Sequence, residues 1–116
     1  MATNIYDLND LVTNYVDANI QNWYLSQCNG EWEHSYGVAI DTLDNPGWVV
    51  KIDLNKTPWE KAHFEELKFE RAPDDWVRCL KEDAQFKGYG DSQKLELILN
   101  HFLSQVSIGL TSKQRM

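Results

Sequence analysis

From Leu8 onward the apolar residues Leu11, Val12, Tyr15, Val16, Ile20, Trp23 and Tyr24 recur at intervals of three and four, the spacing of a helix with one buried stripe. Asp7 or Asn9 is placed to cap its start, and Gly30 to end it at positive φ. The pattern predicts a long helix over about residues 8–28. After Gly30 the period falls to two. Tyr36, Val38 and Ile40 alternate with Gly37, Ala39 and Asp41, and Trp48, Val50, Ile52 and Leu54 alternate with Val49, Lys51 and Asp53. Asp44-Asn45-Pro46-Gly47 lies between the two runs, with Pro fixing φ and Gly tolerating positive φ, so the pair reads as an antiparallel hairpin.

Thr57-Pro58 interrupts the alternation, and a third strand follows with Leu67, Phe69 and Arg71 on one face. Ala72-Pro73-Asp74-Asp75 marks the next turn, a fourth strand runs from Trp76 to Lys81, and a short fifth strand around Phe86 returns through Glu82-Asp83. Gly88 and Gly90 are expected to end the sheet, which occupies about residues 34–89. Asp91 or Ser92 then caps a second helix over about 92–108, with the stripe Leu95, Ile98, Leu99, Phe102, Leu103 and Val106, and the tail 109–116 is expected to fray. Each apolar stripe needs a partner to bury against. The expected fold is one α+β domain over residues 1–116: an antiparallel β-meander of about five strands, with an N-terminal and a C-terminal helix packed on one face.

The composition fits such a domain: 116 residues, 42% hydrophobic and 25% charged, are near globular averages. No apolar run approaches the roughly 20 residues of a membrane-spanning helix, and the first twenty residues carry Asp7, Asp10 and Asp17 with no Lys or Arg. Neither a secretory signal nor a membrane anchor is expected. Cys28 and Cys79 read as reduced thiols of a cytoplasmic protein. The formal charge of −7 argues against direct nucleic acid binding, which relies on clustered Lys and Arg, and suits a basic protein partner.

Chemistry-bearing side chains concentrate at Cys28, Glu31, Glu33 and His34. A nucleophilic Cys28 would need a depressed pKa, but the C-terminal end of a helix and two neighbouring carboxylates oppose a thiolate. Cys28, Glu33 and His34 lack the paired spacing of metal ligands, and Glu33 and His34 point to opposite faces if they lie on a strand. Gly88-Tyr89-Gly90 lacks the Lys and further Gly of a phosphate loop. No catalytic residue, metal or cofactor is therefore expected. A small enzyme built on Cys28, Glu33 and His34 is the alternative, as is a ligand-binding module with a sheet-face pocket lined by Trp48 or Trp76. Among the many aromatic rings, Trp23, Tyr36 and Trp48 fit inward positions. Trp32 and Trp59 have no obvious inward phase, which makes them interface candidates.

Two aromatic-rich blocks carry a more specific signal: Trp23-Tyr24-Leu25-Ser26-Gln27-Cys28-Asn29-Gly30-Glu31-Trp32-Glu33-His34-Ser35-Tyr36-Gly37, then Thr42-Leu43-Asp44-Asn45-Pro46-Gly47-Trp48. In these blocks the chain resembles the immunity protein 53 family, bacterial antitoxins of polymorphic toxin systems. The resemblance implies a cytoplasmic protein that binds and neutralises a cognate toxin domain encoded nearby, without catalytic residues. Candidate partner-binding residues are Glu31, Trp32, Glu33, His34, Asp41, Asp53 and Trp59. The remaining motif positions, Trp23, Tyr24, Cys28, Asn29, Gly30, Tyr36, Gly37, Asp44, Asn45, Pro46, Gly47 and Trp48, are read mainly as architecture. If the toxin is a nuclease with a basic cleft, carboxylates at Asp10, Asp17, Glu31, Glu33, Asp41, Asp53, Glu66 and Glu70 are placed to steer association and mimic phosphates.

Overall fold

The strand alternation read from the sequence produces five antiparallel strands, and one long loop decides their order. The computed structural model describes residues 19–114, with side chains through residue 107. Helix α1 spans residues 19–27, and its predicted part before residue 19 lies outside the described residues. A one-turn helix, α2 (Trp32–Ser35), precedes the strands β1 (Val38–Leu43), β2 (Gly47–Asp53), β3 (Leu67–Ala72), β4 (Asp75–Glu82) and β5 (Gln85–Asp91). Helix α3 (Leu95–Gln114) follows and runs beyond the expected end near residue 108.

The sheet order is β1-β2-β5-β4-β3. The chain thus forms the predicted hairpin β1–β2, crosses over through residues 54–66, and returns as a three-stranded meander whose last strand pairs with β2. The expected α+β class, five antiparallel strands and terminal helices are all present, but β5 is longer than expected and central. Gly88 and Gly90, expected to end the sheet, lie inside β5. They face α3, and a Cβ at Gly88 would run into the side chain of Ile98. Glycine here allows a helix to lie close on a strand.

Similar reasoning applies at the β1–β2 turn. Gly47 does not adopt positive φ, and a Cβ there would strike the carbonyl of Gly90 on the neighbouring strand. The β4–β5 turn is shifted one residue from Glu82-Asp83, to Asp83 and Ala84, both at positive φ (52° and 62°) between the facing residues Glu82 and Gln85. Two such residues match the right-handed twist of a two-residue hairpin.

The inner sheet face supplies Val50, Ile52, Val77, Cys79 and Phe86, all at most 1% exposed. Helix α3 answers with Ile98, Leu99, Phe102 and Val106, four members of its predicted stripe, and Phe86 meets Phe102 with ring centroids 5.2 Å apart. Fully burying side chains of this kind contributes roughly 1.5–3 kcal/mol each. At the opening of α3, Lys94 Nζ reaches Asp91 Oδ2 at 2.7 Å and Asp75 Oδ1 at 2.8 Å. Asp91 is one of the two residues, with Ser92, that the sequence offers as a helix cap. Instead it ends β5, and its carboxylate accepts the amides of Trp76 and Gln93, both at 2.8 Å. Burial works against its charge, but Lys94 and the two amides outweigh this and pull its pKa down to about 2. The long crossover loop is held from beneath by Lys81, whose ammonium donates to the carbonyls of Glu60 and Ala62.

Candidate functional site

The segment richest in candidate residues is a turn whose polar groups bind one another. After α1 ends, Gly30 takes φ 93°, as its position in the sequence predicts. Asn29 Oδ1 accepts the amides of Glu31 and Trp32, both at 2.9 Å, which starts α2. Glu33 answers from within that helix: Oε1 accepts the Asn29 amide at 2.9 Å and Oε2 the Gly30 amide at 2.8 Å. This is the reciprocal logic of a capping box, with a carboxylate one turn on reaching back to orphan amides. The Glu33 pKa is lowered by a bond to its own amide and by those of Asn29 and Gly30. Glu33 and His34 therefore share a helical turn rather than pointing apart on a strand.

Trp32, expected in a charged loop, is 4% exposed. Its indole N–H donates to the Asn55 carbonyl at 2.8 Å, and its ring meets Trp23 edge-on at 6.2 Å with Tyr24 and Tyr36 at 6.1 Å. Trp59 is half-buried against Trp23, 5.9 Å between centroids. Both indoles thus belong to the aromatic cluster that seats α1 on the rest of the domain. Trp48 is half-buried and donates its N–H to the carbonyl of Ser92. Trp76 lies on the opposite sheet face, where it lines a shallow depression of about 610 Å³ with Lys68, Glu70, Arg78 and Tyr89.

The other candidates divide by what their side chains hold. Asp53 is occupied on both oxygens, by the Gly37 amide at 3.0 Å and the Gln85 side chain at 2.9 Å. Cys28 Sγ contacts the Tyr24 carbonyl at 3.4 Å, and burial pushes the Cys79 thiol up to about 12, so Cys79 is not poised as a thiolate. Among the described residues no group of three or more His, Cys, Asp or Glu side chains is placed to hold a metal ion. Glu31, His34, Asp41 and Asp44 remain exposed. They lie on the side of the molecule built by α2 and the β1–β2 hairpin.

Charge is distributed unevenly along the chain. The first 50 residues carry seven carboxylates and no Lys or Arg, whereas the rest carry eleven acids and eleven bases. The net charge of the protein is therefore the charge of its first half. A family model described as Immunity protein 53 matches residues 18–107, which span α1, the sheet and most of α3. The chain belongs to the immunity protein 53 family. No curated protein and no solved structure shows a significant match.

Family membership makes this chain an immunity protein, with a cognate toxin as its implied partner. Residues of the first aromatic block close α1, start α2 and tie α2 to the crossover loop, while the second block forms the β1–β2 turn. Sequence reasoning missed Ile40, a large apolar residue left 44% exposed on β1. The strand pattern predicts an inward Ile40, and the sequence alone gives no signal that β1 lies at the sheet edge.

Proposed function

We propose that this immunity protein neutralises its toxin by stoichiometric binding, in the cytoplasm of a bacterium carrying a polymorphic toxin system, and that the toxin is encoded next to it. The family match over residues 18–107 carries this reading. It is supported by the state of the one cluster offered for catalysis: both oxygens of Glu33 already accept backbone amides, which lowers its pKa and weakens the carboxylate as a base. The protein acts as an inhibitor without catalysis, cofactor or direct contact with nucleic acid.

The toxin class that best fits the acidic first half is a nuclease. A basic cleft evolved for phosphates attracts carboxylates such as those of the first 50 residues, and about 800 Å² of each partner suffices for a specific complex. The experiment is coexpression with the toxin domain encoded by the adjoining gene. Growth should be restored and the two proteins should copurify at one to one; loss of both outcomes overturns the assignment.

A further inference from the structure

The two edges of the sheet are built differently. At β3 the edge strand Leu67–Ala72 carries Lys68, Glu70 and Arg71, and its register shifts between Glu70 and Ala72. Arg71 also folds over Phe69, 4.1 Å from the ring centroid, and pairs with Asp75. Charges and a bulge are the usual devices that keep an edge strand from pairing with another chain. At the opposite edge, β1 is Val38-Ala39-Ile40-Asp41-Thr42-Leu43 in unbroken register with β2, with Asp41 as its one charged residue.

The hydrogen-bonding groups of β1 that β2 does not take, open among the described residues, follow from its register. Gly37 faces Asp53, whose amide donates to the Gly37 carbonyl at 3.0 Å, so the bonded pairs continue at Ala39 with Lys51 and Asp41 with Val49. The amides and carbonyls of Val38, Ile40 and Thr42 therefore point away from β2. The Thr42 amide accordingly takes the Asp41 carboxylate instead, at 2.8 Å. Beside this edge, Ile20, Gln21 and Tyr24 of α1 and Gly37, Val38 and Ile40 line an open groove of about 320 Å³.

Building on the immunity reading, we infer that β1 is the toxin-binding edge, and that the toxin adds an extended segment to it as a sixth strand. The site defines that segment. Residues facing the groove are apolar and fill the space between Ile20, Tyr24 and Ile40. On the other face, the residue that comes to lie beside Asp41 is Lys or Arg, since Asp41 is the one charged side chain of β1, while the residue beside Ala39 is uncharged or acidic because Lys51 of β2 lies across from Ala39. On pairing, the Thr42 amide passes to a carbonyl of the toxin, and the released Asp41 carboxylate meets the incoming cation. Main-chain bonds give affinity and alternate side chains give selectivity, the general mode of strand addition.

Hydrogen exchange of the full chain, alone and with the copurified toxin domain, tests this directly. In the free protein the Val38, Ile40 and Thr42 amides should exchange rapidly, and in the complex they should be protected at least about tenfold, with β3 unchanged. An Ile40→Pro variant, which deletes an outward amide but no bond to β2, should bind about tenfold more weakly or worse, while Ile40→Val keeps the affinity. If the toxin binds and protects other segments, the edge assignment falls while the immunity reading stands; if no complex forms at all, the immunity reading falls first. Slow exchange of these amides in the free monomer, or protection that grows with protein concentration alone, assigns the edge to the chain's own residues or to a second copy and overturns the inference.

Discussion

The indole nitrogen of Trp32 donates to the carbonyl of Asn55 at 2.8 Å, joining the turn after α1 to the crossover loop across 23 positions of sequence. This bond anchors the aromatic block to a segment far away in the chain. Trp32→Phe keeps most of the ring contact but leaves the Asn55 carbonyl unpaired, and should cost about 1–2 kcal/mol. Trp32→Ala opens a cavity against Trp23 and Tyr36 and should cost about 3–5 kcal/mol. Denaturant unfolding of the two variants checks both values, and a cost below about 1 kcal/mol for the alanine would contradict the packing described.

Asp91 should make the fold sensitive to acid. Its pKa is held near 2, below the ordinary carboxylate value of about 3.9, so its contribution is complete above about pH 5 and is lost as pH falls toward 2. Asp75, lowered by its bond to Lys94, acts in the same direction. In Asp91→Asn the stability at neutral pH should drop, and the decline between pH 5 and pH 2 should become shallower than in the wild type. Denaturation midpoints across that range give the comparison.

The β4–β5 turn holds an avoidable strain. Ala84 sits at φ 62°, where a side chain is disfavoured by roughly 1–2 kcal/mol. Ala84→Gly should raise stability by a few tenths to about 1 kcal/mol, since the gain in geometry is partly offset by the greater freedom of an unfolded glycine. A fall in melting temperature would mean that the Ala84 methyl group makes packing contacts that outweigh the strain.

Salt should act on the speed of toxin binding more than on its final strength. With no cation in the first 50 residues, the acidic half should steer a basic toxin surface, so association should slow at least about tenfold from low to high ionic strength. Asp41→Asn should slow it further at low salt. Stopped-flow association rates that do not change with salt would remove the steering role.

The local grammar of the fold was legible because it depends on neighbours in sequence. The alternation of Val50 and Ile52, and the α3 stripe through Ile98 and Phe102, determine which side of each element is buried. Trp32 escaped this reading because its orientation is set by Asn29 and Glu33, whose side chains turn a charged stretch into a helical turn. The place of β5 escaped it because two glycines look like an ending until α3 is laid across them. The partner-binding role was legible only through the aromatic blocks, whose side chains are mostly committed to the interior. Ile40, exposed on an edge strand, is distinguished by strand order rather than by its neighbours in sequence.

The central position of β5 also bears on how the protein is made. A nascent chain emitted as far as β4 has the pieces of two half-sheets but not the strand that joins them. Until residue 91 leaves the ribosome, β2 and β4 both have open edges, and α3, which covers the glycine-lined strand, does not yet exist. The sheet therefore closes only once β5 and α3 have been made, and chains that stop short of them carry the edges most prone to aggregation.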